Sequence, residues 1–240
     1  MATLKDILNK ISAVKKTKQI TKAMNMVAAS RLRGAQTSME AFRPYAGKFV
    51  EVLGSLAERA GEETNPLLVP RENVKKIHIL LCTSDRGLCG GFNFNLIEKA
   101  ESFMNGKAGR GLEFLFTTFG KKGRDWCRKN GFTIDSQHLG VVGANFGFNI
   151  AIKAGKRVVD GFLQGQYDEV YIVYAEFVSM AKQLPVLKQI LPIPPIEPDE
   201  ETEKVEAETF LPEHICEPSP QELLGEMLPR NVYVLIYSAL

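Results

Sequence analysis

"VKKIHILLCTSDRGLCGGFN", residues Val74 to Asn93, decides how the rest of the chain is read. Val74–Cys82 is a hydrophobic run suited to a buried strand, and Gly87, Gly90 and Gly91 follow it closely. An amphipathic pattern then predicts a helix over Asn93–Asn105. Strand, glycine turn and helix in that order form the first unit of an α/β sheet. The downstream sequence repeats the unit. Leu112–Thr118 predicts a strand, Lys121–Asn130 a helix ended by Gly131, Phe132–His138 a weaker strand and Phe146–Leu163 a third helix. Glu169–Val178 ("EVYIVYAEFV") is the clearest strand, and Leu184–Ile193 can pair back onto it through "SMAKQ" as a hairpin.

The turn itself poses a choice between a phosphate cradle and a structural bend. A cradle needs backbone N–H groups at a helix N-terminus, so glycine after a strand is necessary. The spacing here is G-x-x-G-G, which matches neither dinucleotide nor P-loop fingerprints. The second strand ends in Thr118, Phe119 and Gly120, with no acid to hold a ribose. Both readings stay open on these residues alone, as a nucleotide-dependent enzyme or a turn carrying charged Asp85 and Arg86 toward a partner. Cys89 stands beside the helix start, which can lower a thiol pKa, yet no histidine is near it in sequence. His78 falls in the buried strand pattern, and His138 and His214 are isolated.

Upstream, residues 2 to about 58 read as one long helix. Leu4, Ile7, Ile11, Val14, Ile20, Met24 and Val27, then Leu32, Ala35, Met39 and Phe42, recur at steps of three and four with some gaps. That is the narrow stripe of a coiled coil, and Pro44 is expected to kink it. Globular helices average about a dozen residues, so this stripe must bury against something of similar length. At the other end, "SPQELLGEML" opens with a serine and proline suited to a helix start, and "RNVYVLIYSAL" is an apolar segment after it.

Charge is uneven although the net value is only +2. Residues 1–50 carry ten Lys or Arg against Asp6 and Glu40, while residues 197–208 carry seven acids against Lys204. The basic helix lacks the interleaved aromatics of a nucleic-acid surface, so a protein-facing or solvated face is expected; a coiled-coil adaptor or nucleic-acid binder is the rival reading. Cys82, Cys89, Cys127 and Cys216 show neither metal spacing nor a disulfide framework. Lys5 and Asp6 interrupt any leader-like apolar region, and no run approaches the ~18 apolar residues of a membrane span. A soluble protein of a reducing compartment is expected. Composition, 45% hydrophobic and 24% charged, is that of an ordinary globular chain.

Three separated stretches together resemble the gamma subunit of rotary F-type ATP synthases: "ISAVKKTKQITKAMNMVAASRLRGAQ" (Ile11–Gln36), "TSDRGLCGGFN" (Thr83–Asn93) and "EPSPQELLGEMLP" (Glu217–Pro229). "YAEFVSMAKQLP" (Tyr174–Pro185) fits as well. The resemblance implies an N-terminal shaft helix over 1–58, a Rossmann-like, largely parallel α/β domain over 72–195, an acidic loop and return segment over 196–218, and the start of a C-terminal shaft helix over 219–240. In the family that last helix runs on past the position of Leu240 and pairs antiparallel with the first. It further implies a non-catalytic central-stalk rotor inside a ring of three alpha and three beta subunits. Rotation would couple proton flow to ATP synthesis by driving the catalytic beta subunits through different conformations. An epsilon-type subunit and the membrane-embedded c-subunit ring would be the other partners, on the cytoplasmic side of a bacterial inner membrane. No cofactor, metal, nucleic acid or small-molecule substrate is implied. The turn would face an acidic loop of a beta subunit, with Arg86 as an ion-pairing contact. The partner-contact candidates are Lys15, Lys18, Lys22, Met24, Arg31 and Arg33 on the first helix, and Asp85, Arg86, Gly87 and Cys89 on the turn.

Overall fold

The structure is a computed structural model that describes residues 3–60, 65–107, 111–141, 147–179, 182–194 and 219–240. The acidic stretch expected over 196–218, with His214 and Cys216, lies outside the described residues, as do Met180 and Ala181 of the expected hairpin turn. The chain divides into two compact units, Met1–Tyr45 and Ala46–Leu240.

Helix α1 spans Leu4–Ala60 and continues through Pro44. Thr3 starts it by a reciprocal cap. The Asp6 amide donates to Thr3 Oγ1 at 3.3 Å, and the Thr3 amide donates back to Asp6 Oδ2 at 3.0 Å. The Thr3 hydroxyl also donates to Asp6 Oδ2 at 2.7 Å, and that bond, with the one from the Thr3 amide, holds the Asp6 carboxyl below its ordinary pKa. Leu4, Ile7, Ile11, Val14, Ile20, Met24 and Val27 are all exposed, so no described residue of the first unit covers the stripe. In the second unit the same helix is covered, and Phe49, Leu53 and Leu56 are buried.

The sheet carries five strands in the order β3-β2-β1-β4-β5. They are β1 (Lys76–Cys82), β2 (Glu113–Phe119), β3 (Thr133–His138), β4 (Glu169–Ser179) and β5 (Lys182–Leu191). β1 pairs parallel with β2 and β4, β2 parallel with β3, and β5 antiparallel with β4. The mixed, largely parallel sheet read from the sequence is the sheet observed. β1 pairs with β4 only as far as Leu81 opposite Val173, whereas β4 and β5 stay paired out to Ser179 opposite Lys182. The hairpin therefore projects as a two-stranded arm beyond the end of β1.

Helix α2 (Phe92–Gly106) and helix α3 (Lys121–Lys129) cover one face. Ile77, Ile79 and Leu81 of β1, Phe116 of β2 and Val173 of β4 pack there with Leu96, Ala100, Met104 and Cys127. Successive strand residues point to opposite faces, so His78 and Leu80 turn toward the other layer. That layer is α4 (Phe148–Leu163), with α5 (Pro220–Ala239) packed on it. At Gly155 of α4 the α5 side chain Tyr233 comes so close that a Cβ there would overlap its ring. The apolar segment Arg230–Ala239 is thus the second half of one helix, started by Ser219, whose hydroxyl accepts from the Glu222 amide at 3.3 Å.

Candidate functional site

The candidates fall into two sets, one on each unit. Lys15, Lys18, Lys22, Met24, Arg31 and Arg33 are exposed along α1, with Met24 at 48%. The turn residues sit at the C-terminal end of β1, the edge at which open α/β sheets present their loops.

Here the backbone is fixed residue by residue. The Thr83 amide donates to Phe119 O at 2.8 Å, and its hydroxyl donates to the same oxygen at 3.0 Å. Thr83 Oγ1 also accepts from the Gly123 amide at 2.8 Å. Gly120, at φ 89°, lies so close that any Cβ would overlap the Thr83 carbonyl; only glycine fits that crossing. Ser84 O accepts from the Lys122 amide at 3.2 Å, and the Ser84 amide donates to Asn93 Oδ1 at 2.9 Å. Asn93 Nδ2 donates to Ser84 Oγ at 2.8 Å and to Cys89 Sγ at 3.0 Å. The turn is closed at its base by its own first and last polar residues.

Asp85 is half-buried and faces inward. Its Oδ1 accepts from the Lys121 amide and its Oδ2 from the Gly140 amide, each at 3.1 Å. Arg86, Gly87, Leu88, Cys89 and Gly90 are exposed. Leu88 is the exception to ordinary backbone geometry, at φ 64° with 93% of its surface exposed. A left-handed, β-carbon-bearing residue costs on the order of 1–2 kcal/mol, and here no side-chain burial offsets it. Gly90, at φ 58°, takes the same region freely. Ser84, Leu88 and Asn93 were not among the sequence candidates. An apolar residue inside a charged glycine turn was the signal for Leu88; Asn93 gave none, because its partner Ser84 is nine residues away.

Two of the amides beside the turn are already used within the chain. The amide of Phe92, first residue of α2, donates to Cys89 O, and the Ser84 amide is taken by Asn93. What the turn offers outward is a cation beside an apolar tip, with Lys121 and Lys122 next to it in the fold. Elsewhere the buried polar groups knit the sheet: His78 Nε2 bonds Thr117 Oγ1 at 2.9 Å, and Thr117 Oγ1 bonds Ser136 Oγ at 2.9 Å. Arg157 grips Asp135 through Nε at 2.7 Å and Nη2 at 2.8 Å, which holds that carboxyl below its ordinary pKa. Among the described residues no three His, Cys, Asp or Glu side chains converge as metal ligands.

Comparison with known proteins decides the family. An ATP synthase family model matches residues 3–240. The ATP synthase gamma chain of Desulfosudis oleivorans is 61% identical over the whole of this chain and 81% of its own length. The chain belongs to the ATP synthase gamma chain family. The gamma chain of Desulforapulum autotrophicum is 58% identical over all of this chain and 81% of that protein. The central-stalk and c-ring structure of Tetrahymena thermophila mitochondrial ATP synthase contains a chain of the same fold, with a TM-score of 0.62 at 20% identity, covering 92% of this chain and 90% of that one. No described helix of this gamma-family chain is long and apolar enough to cross a membrane.

Proposed function

We propose that this chain turns as the central-stalk rotor of an ATP synthase, coupling proton flow to ATP synthesis without an active site of its own. The family membership carries the rotor reading. The α1 stripe supports it: the part of this 57-residue helix from Leu4 to Val27 exposes an apolar seam with basic flanks, suited to run against other subunits, while its C-terminal part is buried in the second unit. The alpha and beta subunits would surround it, and an epsilon-type subunit and the c-subunit ring would meet the sheet unit, on the cytoplasmic face of a bacterial membrane. The 1–58, 72–195, 196–218 and 219–240 segments would serve as shaft helix, globular domain, connecting loop and second shaft helix.

Within that reading the turn is a bearing surface. Arg86 is exposed on a backbone that is pinned on both sides, so its guanidinium can meet an acidic beta-subunit loop at a repeatable position. The test is Arg86→Glu in the assembled, membrane-bound enzyme. Proton pumping per ATP hydrolysed should fall several-fold, while the isolated chain unfolds as the parent does, because an exposed turn charge contributes only about 0–1 kcal/mol to folding. Undiminished coupling, or an unfolded isolated chain, would remove Arg86 from this role.

A further inference from the structure

Asp85 and Arg86 are adjacent in sequence and have opposite fates in the fold. We infer that Asp85 is a positioning residue that acts through Arg86, and not a second partner contact; this rests on the bearing-surface reading above. Its two carboxylate oxygens are each occupied by a backbone amide, Lys121 at the first position of α3 and Gly140 just beyond β3. One side chain on the loop after β1 thereby ties together the loops after β2 and β3, across the ends of three parallel strands. A carboxylate is a stronger acceptor for amides than a neutral oxygen, and here it is the side chain that joins the loop to both neighbouring strand ends.

Neighbouring main-chain bonds run the same way. Lys122 N reaches Ser84 O at 3.2 Å, and Gly120 N reaches His138 O at 3.0 Å. On the far side the turn is fastened by Asn93. Between these two fixings, residues 86–90 have no burial of their own, and Leu88 holds a left-handed φ. An exposed segment with strained backbone keeps one conformation only if its ends impose it. Asp85 is the residue at the end nearest Arg86. Without it the Arg86 backbone keeps the Ser84 hydroxyl on its carbonyl oxygen but loses the side-chain tie to the β2 and β3 ends, and with it the fixed starting geometry that a moving contact requires.

The experiment is a double-mutant cycle in the assembled ATP synthase, reading protons pumped per ATP hydrolysed in membrane vesicles. Asp85→Ala and Arg86→Ala should each lower that ratio several-fold, and the double variant should match Arg86→Ala within about a factor of two, the ordinary scatter of such cycles. Losses that multiply would show Asp85 making a contact of its own. An unchanged ratio for Asp85→Ala, with only a lower Tm and a lower yield of complex, would show a purely structural residue. Either result overturns the inference while Arg86→Ala remains defective. If Arg86→Ala itself couples normally, the bearing reading falls first. Asp85→Asn, which keeps one acceptor oxygen, runs the same cycle should the alanine variant fail to assemble.

Discussion

His78 makes the acid stability of the sheet unit calculable. The ring is wholly buried on the α4 side of β1, edge-on to Tyr167 at 4.5 Å, with Nε2 on Thr117 and no partner for Nδ1 among the described residues. Burial lowers its pKa to about 4 from the ordinary 6.5; the Arg157 charge adds to the shift and Asp135 opposes it. The folded pKa therefore lies below the unfolded one. As pH falls through 6.5 the unfolded chain takes up a proton that the folded chain refuses, so stability is full above that pH and declines until about pH 4. Linkage converts the two pKa values into a loss of about 2 kcal/mol by pH 5 and about 3 kcal/mol by pH 4.

The perturbation is His78→Gln, which can still reach Thr117 but carries no charge in this range. Urea unfolding of the isolated chain at pH 7.5, 6, 5 and 4 can be followed by Trp126, the only tryptophan. Trp126 packs on Phe116 and Phe132 on the opposite face of the sheet, so it reports loss of the whole layer and not a local change at His78. The parent should lose those 2–3 kcal/mol relative to the variant over this window. Asp135, held low by Arg157, acts at lower pH and is present in both proteins, as is His138, whose pKa burial also lowers. Parallel pH profiles for parent and variant would refute the argument, because they would mean that His78 is protonated at no cost in the fold.

Four further outcomes are expected. Calorimetric titration of the isolated chain with ATP or NAD should show no micromolar site, and one abolished by Gly90→Val would reinstate the phosphate-cradle reading. Gly155→Ala forces a methyl against Tyr233 and should destabilise the α4–α5 packing by about 1–3 kcal/mol in the same urea assay; an unchanged midpoint would count against that close approach. A thiol reagent at pH 8 should modify exposed Cys89 in the native chain and leave Cys82 and Cys127 until unfolding, since burial pushes the Cys127 thiol up to about 12 and raises Cys82 too; mass spectrometry of the labelled peptides checks the order. The uncovered α1 stripe should drive self-association of the 240-residue chain at tens of micromolar, because each buried side chain contributes roughly 1.5–3 kcal/mol. Met24→Asp with Val27→Asp should return it to monomer by sedimentation; a monomeric parent whose first fifty residues resist protease would sink the idea.

What the sequence disclosed and what it withheld divide along range. Strand and helix alternation is local, set by side-chain period within a window, and Val74–Cys82 or Glu169–Val178 could be read directly. Arg230–Ala239 could not be settled, because a short apolar run fits a buried strand or a helix until its neighbours are known. At the turn the limit is sharper. Composition shows two charges side by side and favours treating both as outward, since exposed turn charges are the rule. Asp85 turns inward because amides 36 and 55 residues away arrive beside it when β1, β2 and β3 align. The requirement that selects Gly120 is likewise invisible locally, as the carbonyl it must pass belongs to Thr83. Parallel strands force this: their ends meet only through long crossovers, so the residues that shape a loop at the sheet's edge come from distant segments. The loop's exposed charge is legible in its own residues, whereas the hydrogen bonds that fix its backbone are written in its neighbours.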